Sequence, residues 1–258
     1  MRPRDRQSRV TVSTFERPAV AVRPLALPAE HGAWGLLLEP VVLALLVAPS
    51  RAGLLIGVGA VAAFLARHPL KLAAQDLLRR RRYPRTTVCV SLALTYASIA
   101  IISLGFAARD AGVLPLVALS GALPFAGLQF ALDVRNRGRS LTAELCGAVA
   151  PAAIAAAIAV AASSRLAIPL VILTCARSLP AVLYVRFALR GGSRVMMLAA
   201  HAGAIGAAIL SGPSLAVAAM GLLFVRAMMP PALPPKAIGM REIGWGAVTI
   251  TLIAAAYL

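Results

Sequence analysis

Residues 67–85 read RHPLKLAAQDLLRRRRYPR and lie between two long apolar segments. The stretch is too basic to enter lipid, and as a helix it places Lys71, Gln75, Arg79 and Arg82 opposite a face of leucines and alanines. Such a helix suits a membrane surface, with its cations towards water and phosphate groups. Because arginine-rich segments stay on the cytoplasmic side of a membrane, the stretch also predicts the topology of the chain.

The composition excludes an ordinary soluble domain. The chain of 258 residues is 60% hydrophobic and 14% charged, with a mean hydropathy of +0.85, whereas soluble domains carry about 25% charged residues. Several apolar runs approach the ~20 residues that span a bilayer, which predicts a polytopic membrane protein. The net charge of +17 does not indicate nucleic acid as a partner, because the arginines cluster between apolar segments, where contact with membrane lipids is expected.

The apolar segments predict an all-α protein with nine transmembrane helices. A disordered cytoplasmic tail, residues 1–27, precedes a nine-helix transmembrane domain, residues 28–258. The segments are 33–49, 52–67, 87–107, 112–132, 142–162, 166–187, 195–211, 213–229 and 242–258, of which the second, seventh and eighth look short. The fifth is rich in small residues and is expected inside the bundle.

The distribution of cations supports this helix number and one orientation in the cell membrane. With a cytoplasmic N-terminus, 22 cations fall in cytoplasmic segments and only three in outside loops, while Arg177 falls inside a span. A helix missed or added would scramble this alternation. We therefore predict a cytoplasmic N-terminus and an outside C-terminus.

Two ionisable residues lie several positions inside apolar segments. Glu39 and Arg177 are costly there, and such residues normally face a cavity or a partner. Neighbouring Pro40 and Pro180 can open their helices locally. We favour a functional role for both charges, and the alternative is a purely structural ion pair between them. The sequence does not decide whether they meet.

The cytoplasmic loops supply further candidates, because a basic mouth over an apolar bundle suits an amphiphile with an anionic head. The acid/base candidates are Glu30, His31 and Asp76. The candidates for holding the head group are Arg67, His68, Lys71, Asn136, Arg177, Arg186, Arg190 and Lys236. Alternatively, Asp76 forms an intrahelical ion pair with Arg80, and Glu30 interacts favourably with a helix dipole.

At these residues the chain resembles the YwiC-like family of bacterial membrane proteins. The resemblance covers nearly everything after residue 27, but it implies a family rather than an activity. It rests on Glu30-His31-Gly32-Ala33-Trp34 with Pro40, His68-Pro69-Leu70, Asn136 through Leu145, Leu183 through Arg186, His201, Lys236 through Gly239, and Glu242-Ile243.

More distantly, the nine segments and the large loops after the second and sixth resemble UbiA-type intramembrane prenyltransferases. That resemblance implies a bundle holding a prenyl diphosphate and magnesium through two Asp-rich motifs. Here Gln75-Asp76-Leu77-Leu78-Arg79 matches the first motif only at Asp76, and Arg186 and Arg190 stand in the region of the second. Magnesium prefers carboxylate oxygens, so these departures argue against a magnesium site, and no metal site is predicted. Arginines can still neutralise a phosphate.

We therefore expect the protein to bind a phosphorylated isoprenoid or another anionic lipid in an intramembrane pocket that opens to the cytoplasm. Whether it also transfers the isoprenoid, as a prenyltransferase-like enzyme, stays open. A membrane transporter that uses Glu39 and Arg177 is the first alternative. A non-catalytic membrane protein is the second.

Overall fold

The computed structural model describes residues 22–27, 31–81 and 83–258, and these residues contain helices and no β-strand. The helices are α1 (Arg23–Ala26), α2 (His31–Val47), α3 (Arg51–Leu78), α4 (Pro84–Ala111), α5 (Leu114–Ser120), α6 (Leu123–Val134), α7 (Leu141–Val149), α8 (Ala152–Ala161), α9 (Ala167–Arg190), α10 (Arg194–Ser211), α11 (Ser214–Met228) and α12 (Pro235–Ala255). Most of the predicted tail, residues 1–21, lies outside the described part of the chain.

Six candidate spans in the described ranges are long and apolar enough to cross a membrane. They are α3, α4, α7 continued by α8, α9, α10 and α12. A seventh is the pair α5 and α6, which is bent by 41° between its two parts. The helices α2 and α11 are apolar but shorter. The all-helical, multi-pass prediction is therefore confirmed, whereas the number of nine spans stays a prediction.

The basic stretch does not form a separate surface helix. The predicted second segment, residues 52–67, is not short, because α3 continues through the basic residues to Leu78 and is 28 residues long. Pro69 lies inside it, and Arg80 beyond its end has a φ of 51°, a left-handed conformation that stops the helix. Pro84 then starts α4 at a position that needs no backbone donor.

Small side chains bring the helices close together. A Cβ on Gly53 would lie 2.9 Å from Ile158, and one on Gly57 would lie 3.0 Å from Val41. Ile158 is fully buried, and most of the alanines of α8 are also buried. This confirms the expectation that the fifth apolar segment lies inside the bundle. By contrast, α4 exposes large residues such as Ile101, at 70%, to the surroundings.

Several helix ends meet at one end of the bundle, which we call the basic end. It comprises residues 67–81, 83–86, 133–144, 186–194 and 228–236. Side chains of α3 contact the end of α6, side chains of α9 contact the start of α7, and Arg194 of α10 donates a hydrogen bond to the Met228 carbonyl. At the other end of α3 and α4, away from the basic end, Arg51 and Asp110 form an ion pair at 3.3 Å.

Candidate functional site: a buried charge cluster

Helix α2 presents one continuous face to the bundle interior. Leu36, Glu39, Pro40 and Leu43 recur at the three- and four-residue spacing of a helix face, and all four line the same cavity. Glu39 lies eight residues into α2, about 12 Å along its axis from the first residue. The carboxylate is therefore carried well inside the apolar part of the bundle.

Glu39 packs against the backbone of α12. A Cβ on Gly246 would overlap the Glu39 carboxylate, so only glycine leaves room for this side chain. One turn earlier, a Cβ on Gly35 of α2 would lie 3.6 Å from Ile243. The two helices therefore run in the same direction with small residues between them, and this brings the carboxylate close to the interior face of α12.

Arg177 meets Glu39 across 138 residues of sequence. Its Nη2 atom donates to Glu39 Oε1 at 3.3 Å and to the Glu242 carbonyl at 3.1 Å, and its Nη1 lies 3.6 Å from Glu242 Oε2. The side chains of Glu39 and Arg177 are only 14% and 6% exposed. The structure thus answers the question that the sequence left open, because the two intramembrane charges do form an ion pair.

Two further charges complete the cluster, and sequence reasoning missed both. Arg226 of α11 pairs with the Glu242 carboxylate, and its guanidinium lies over the Tyr184 ring at 3.9 Å and the Trp245 ring at 5.7 Å. Arg226 is one of the 22 cations that the sequence assigns to cytoplasmic segments, and Glu242 lies at the start of the predicted ninth segment. They are buried instead, because α11 continues past Arg226 and α12 begins at Pro235, two turns before Glu242.

We call Glu39, Arg177, Arg226 and Glu242 the charge cluster. It unites four helices and holds equal numbers of carboxylates and guanidinium groups. A usable sequence signal did exist, since Arg226 falls inside the apolar segment 213–229, although only three residues before its end. Because Arg226 was counted among the cytoplasmic cations, its burial inside the bundle was not predicted.

A small cavity adjoins the charge cluster. It has a volume of about 20 Å³, enough for one water molecule, and Glu39 and Arg177 line it with the hydroxyl-bearing residues Thr174, Ser178 and Thr249. Leucine and isoleucine side chains of α2, α9 and α12, together with Pro40 and Gly246, form the rest of the wall. The wall is therefore mixed, with charged and hydroxyl groups beside aliphatic ones.

Several buried polar atoms at the cluster lack a hydrogen-bond partner among the described residues. They are Arg177 Nε and Nη1, Arg226 Nε and Nη2, Glu242 Oε2, Thr174 Oγ1 and His201 Nε2. His201, on α10, is 1% exposed and its Nδ1 lies 2.8 Å from the Met197 carbonyl. Since unpaired buried donors are expensive, the unused arginine N–H groups are positions where an anionic or polar ligand would be stabilised.

The predicted head-group residues on α3 contact α6 instead of facing an open mouth. Arg67 donates to the Asp133 carboxylate through Nε at 2.9 Å, and Lys71 Nζ lies 3.8 Å from the same carboxylate. Gln75 donates to the Val134 carbonyl at 3.2 Å and to Asn136 Oδ1 at 2.9 Å. This row of side chains, one helical turn apart, therefore binds the C-terminus of α6, where carbonyl groups and the helix dipole favour cations.

Arg186 and Arg190 share a second carboxylate. Their Nη1 atoms lie 2.9 Å and 2.6 Å from the two oxygens of Glu144 on α7, and both donate to the Arg139 carbonyl. Both arginines are thus engaged at the basic end, although Arg190 remains 40% exposed. Lys236 is exposed at the start of α12.

Of the three acid/base candidates, the structure describes the side chain of Asp76 alone. Asp76 is fully buried and accepts hydrogen bonds from Arg85 at 2.8 Å and from Thr86 at 2.8 Å. Its partner is therefore Arg85 and not Arg80, the residue of the alternative interpretation, because α3 ends before Arg80 and the chain turns into α4. Glu30 lies outside the described residues, as does the side chain of His31.

His68, another head-group candidate, lies 3.2 Å through Nε2 from the Pro24 carbonyl of α1. Tyr96 donates to the Ala26 carbonyl at 3.3 Å. Residues 22–27, which the sequence assigns to the tail, thus form a helical turn that lies against α3 and α4. In the ranges that the structure describes, no three His, Cys, Asp or Glu side chains are grouped as metal ligands.

The helices and their buried charges define a polytopic α-helical membrane protein with an ionisable site inside its bundle. A family model described as YwiC-like protein matches residues 27–159, just over half of the chain, and the chain belongs to this family. Comparison with curated proteins and with solved structures finds no match. The matched range includes Glu39, whereas the other three members of the charge cluster lie beyond it.

Proposed function

We propose that this protein binds the anionic head of a lipid, such as a phosphorylated isoprenoid, at the charge cluster inside the membrane. The observation that carries the proposal is the pair of buried arginines, Arg177 and Arg226, with guanidinium N–H groups that have no hydrogen-bond partner among the described residues. Ionisable groups at membrane depth normally face a substrate pathway or one another. Here Arg177 pairs with Glu39 and also lines the cavity, which supports the proposal.

Three features favour a lipid over a small soluble anion. The cavity wall is partly aliphatic, which suits an acyl or isoprenoid chain. The basic end carries many more cations than carboxylates, so it attracts anionic lipids from the adjacent leaflet. Planar guanidinium groups also bind phosphate through two parallel hydrogen bonds.

The cavity, at about 20 Å³, is too small for any lipid head, so binding requires movement of the helices. Helix α2 contains Pro40, and α12 meets it at Gly246. We propose that these two helices separate at the basic end and that the head group enters between them. The row of side chains that holds α3 to α6 stays in place during this movement, since neither helix takes part in it.

The test is native mass spectrometry of the purified protein for a co-purifying anionic lipid. Arg177→Lys keeps the charge opposite Glu39 but loses the planar fork, so we expect lipid occupancy at least about tenfold lower, as for a lost charge-assisted hydrogen bond. The matched control is Arg51→Lys, because Arg51 pairs with Asp110 far from the cluster. Unchanged occupancy in a folded Arg177→Lys protein would refute the proposal.

Transport is the second candidate, and the interrupted helices favour it. The pair α5 and α6 is bent by 41°, and Ser178 of the cavity wall donates to the Ala148 carbonyl beside the break between α7 and α8. Broken helices beside buried charges are typical of transporters. In proteoliposomes with a chain-labelled anionic lipid, protein-dependent movement of the label between leaflets would favour transport, and binding without movement would favour the first proposal.

A further inference from the structure

The charge cluster is electrically balanced, and this balance limits how it accepts another anion. Two carboxylates face two guanidinium groups, and each side chain is at most 14% exposed. A bound phosphate would add negative charge where water is largely excluded. An uncompensated charge in such a place is strongly unfavourable, so one of the carboxylates must leave or be neutralised.

The two carboxylates are not held equally. Glu242 pairs with Arg226 and also approaches Arg177, whereas Glu39 contacts only one nitrogen of Arg177, at 3.3 Å. Glu39 also borders the cavity, next to Thr174, whose hydroxyl has no partner among the described residues. Glu39 is therefore the carboxylate that an incoming anion displaces from Arg177.

Among the described residues, the surroundings of Glu39 offer no other cation that could pair with its carboxylate. Of the helices packed against α2, α9 presents Arg177 and α12 presents Glu242, and α11 adds Arg226, which is already paired with Glu242. Helix α8 contains no ionisable residue, and α3 meets α2 through glycines towards its other end. The described residues near the cluster also include the titratable groups of His201 and Tyr184, and Tyr184 lies against Arg226.

We infer that Glu39 takes up one proton when the lipid phosphate binds Arg177, so that the protein binds the anion and a proton together. This inference rests on the proposed function. The proton comes from a hydronium ion at the basic end: one O–H bond of that ion breaks and leaves water, and one O–H bond forms on the Glu39 carboxylate. The protonated carboxyl is neutral and can donate a hydrogen bond within the cavity, so the cluster gains no net charge.

The test measures the affinity of detergent-solubilised protein for chain-labelled phosphatidylglycerol by fluorescence anisotropy, between about pH 5.5 and about pH 8.5. The phosphodiester of this lipid keeps one negative charge over that range, since its single acidic group ionises well below it. If binding takes up one proton, the dissociation constant rises with pH, by up to about tenfold per pH unit. Glu39→Gln imitates the protonated state and should bind at every pH as tightly as the wild type does at low pH.

The matched control is Glu144→Gln, which removes a carboxylate at the basic end and should keep the wild-type pH dependence. A flat wild-type profile would overturn the inference, as would an equal slope in Glu39→Gln. If the wild type binds and Arg177→Lys binds less, but neither depends on pH, the proposed function stands and the proton coupling fails. If the wild type binds no labelled lipid at any pH, both fail.

Discussion

Replacing Glu242 by glutamine tests whether the charge cluster holds four helices together. Glu242 pairs with Arg226, lies 3.6 Å from Arg177 and is 12% exposed. Removing its charge leaves two buried guanidinium groups facing Glu39 alone. Removing one partner of a buried ion pair is destabilising by about 3–5 kcal/mol, because the other charge stays buried and uncompensated. At about 2–4 °C per kcal/mol, the melting temperature should fall by about 6–20 °C.

Glu144→Gln is the matched control for this change. Glu144 also contacts two arginines, but it lies at the basic end, 22% exposed, and one of its partners is 40% exposed. Solvent screening limits such pairs to about 1 kcal/mol or less, so the control should melt no more than about 4 °C below the wild type. Thermal melting of both purified proteins, followed by size-exclusion chromatography, measures the difference. Equal melting temperatures would refute the argument.

A double substitution separates loss of charge balance from loss of packing. Adding Arg226→Gln to Glu242→Gln restores equal numbers of positive and negative groups, since Arg177 and Glu39 remain paired. We expect the double variant to melt higher than Glu242→Gln alone, because removing both partners of a buried pair is less harmful than removing one. If instead the two losses add, the residues act independently and the cluster is not an electrostatic unit.

Two further changes test the packing around the cluster and the contact between α3 and α6. Gly246→Ala should lower the melting temperature and disturb anion binding, because the new methyl group would overlap Glu39, whereas Gly244→Ala, with open space around it, should leave both nearly unchanged. Asp133→Asn should cost about 1–3 kcal/mol by leaving Arg67 without its carboxylate partner, and amide hydrogen exchange should rise at the end of α6. Equal exchange there in wild type and variant would contradict this role for Asp133.

The sequence predicts how deep some charged residues lie in the bundle, but it does not predict which residues they contact. The depth of Glu39 and Arg177 is readable because an ionisable residue inside an apolar segment stands out on hydropathy alone. Arg226 and Glu242 were missed because each lies near one end of its predicted segment. A charge at such a position is expected at the membrane surface and not inside the bundle. The alternative partner of Asp76 also differs, since helical spacing indicates Arg80, whereas the end of α3 brings Arg85 to the carboxylate.

The sequence by itself determined the class of the protein, because lipid admits only segments that are apolar and satisfy their own backbone hydrogen bonds, and such segments are visible in the order of residues. It also identified the family through the residues around His31 and Trp34. Only the tertiary structure decided which charges meet. Glu39 and Arg177 lie 138 residues apart, and their contact depends on how α2, α9, α11 and α12 pack, which no local pattern in the chain encodes.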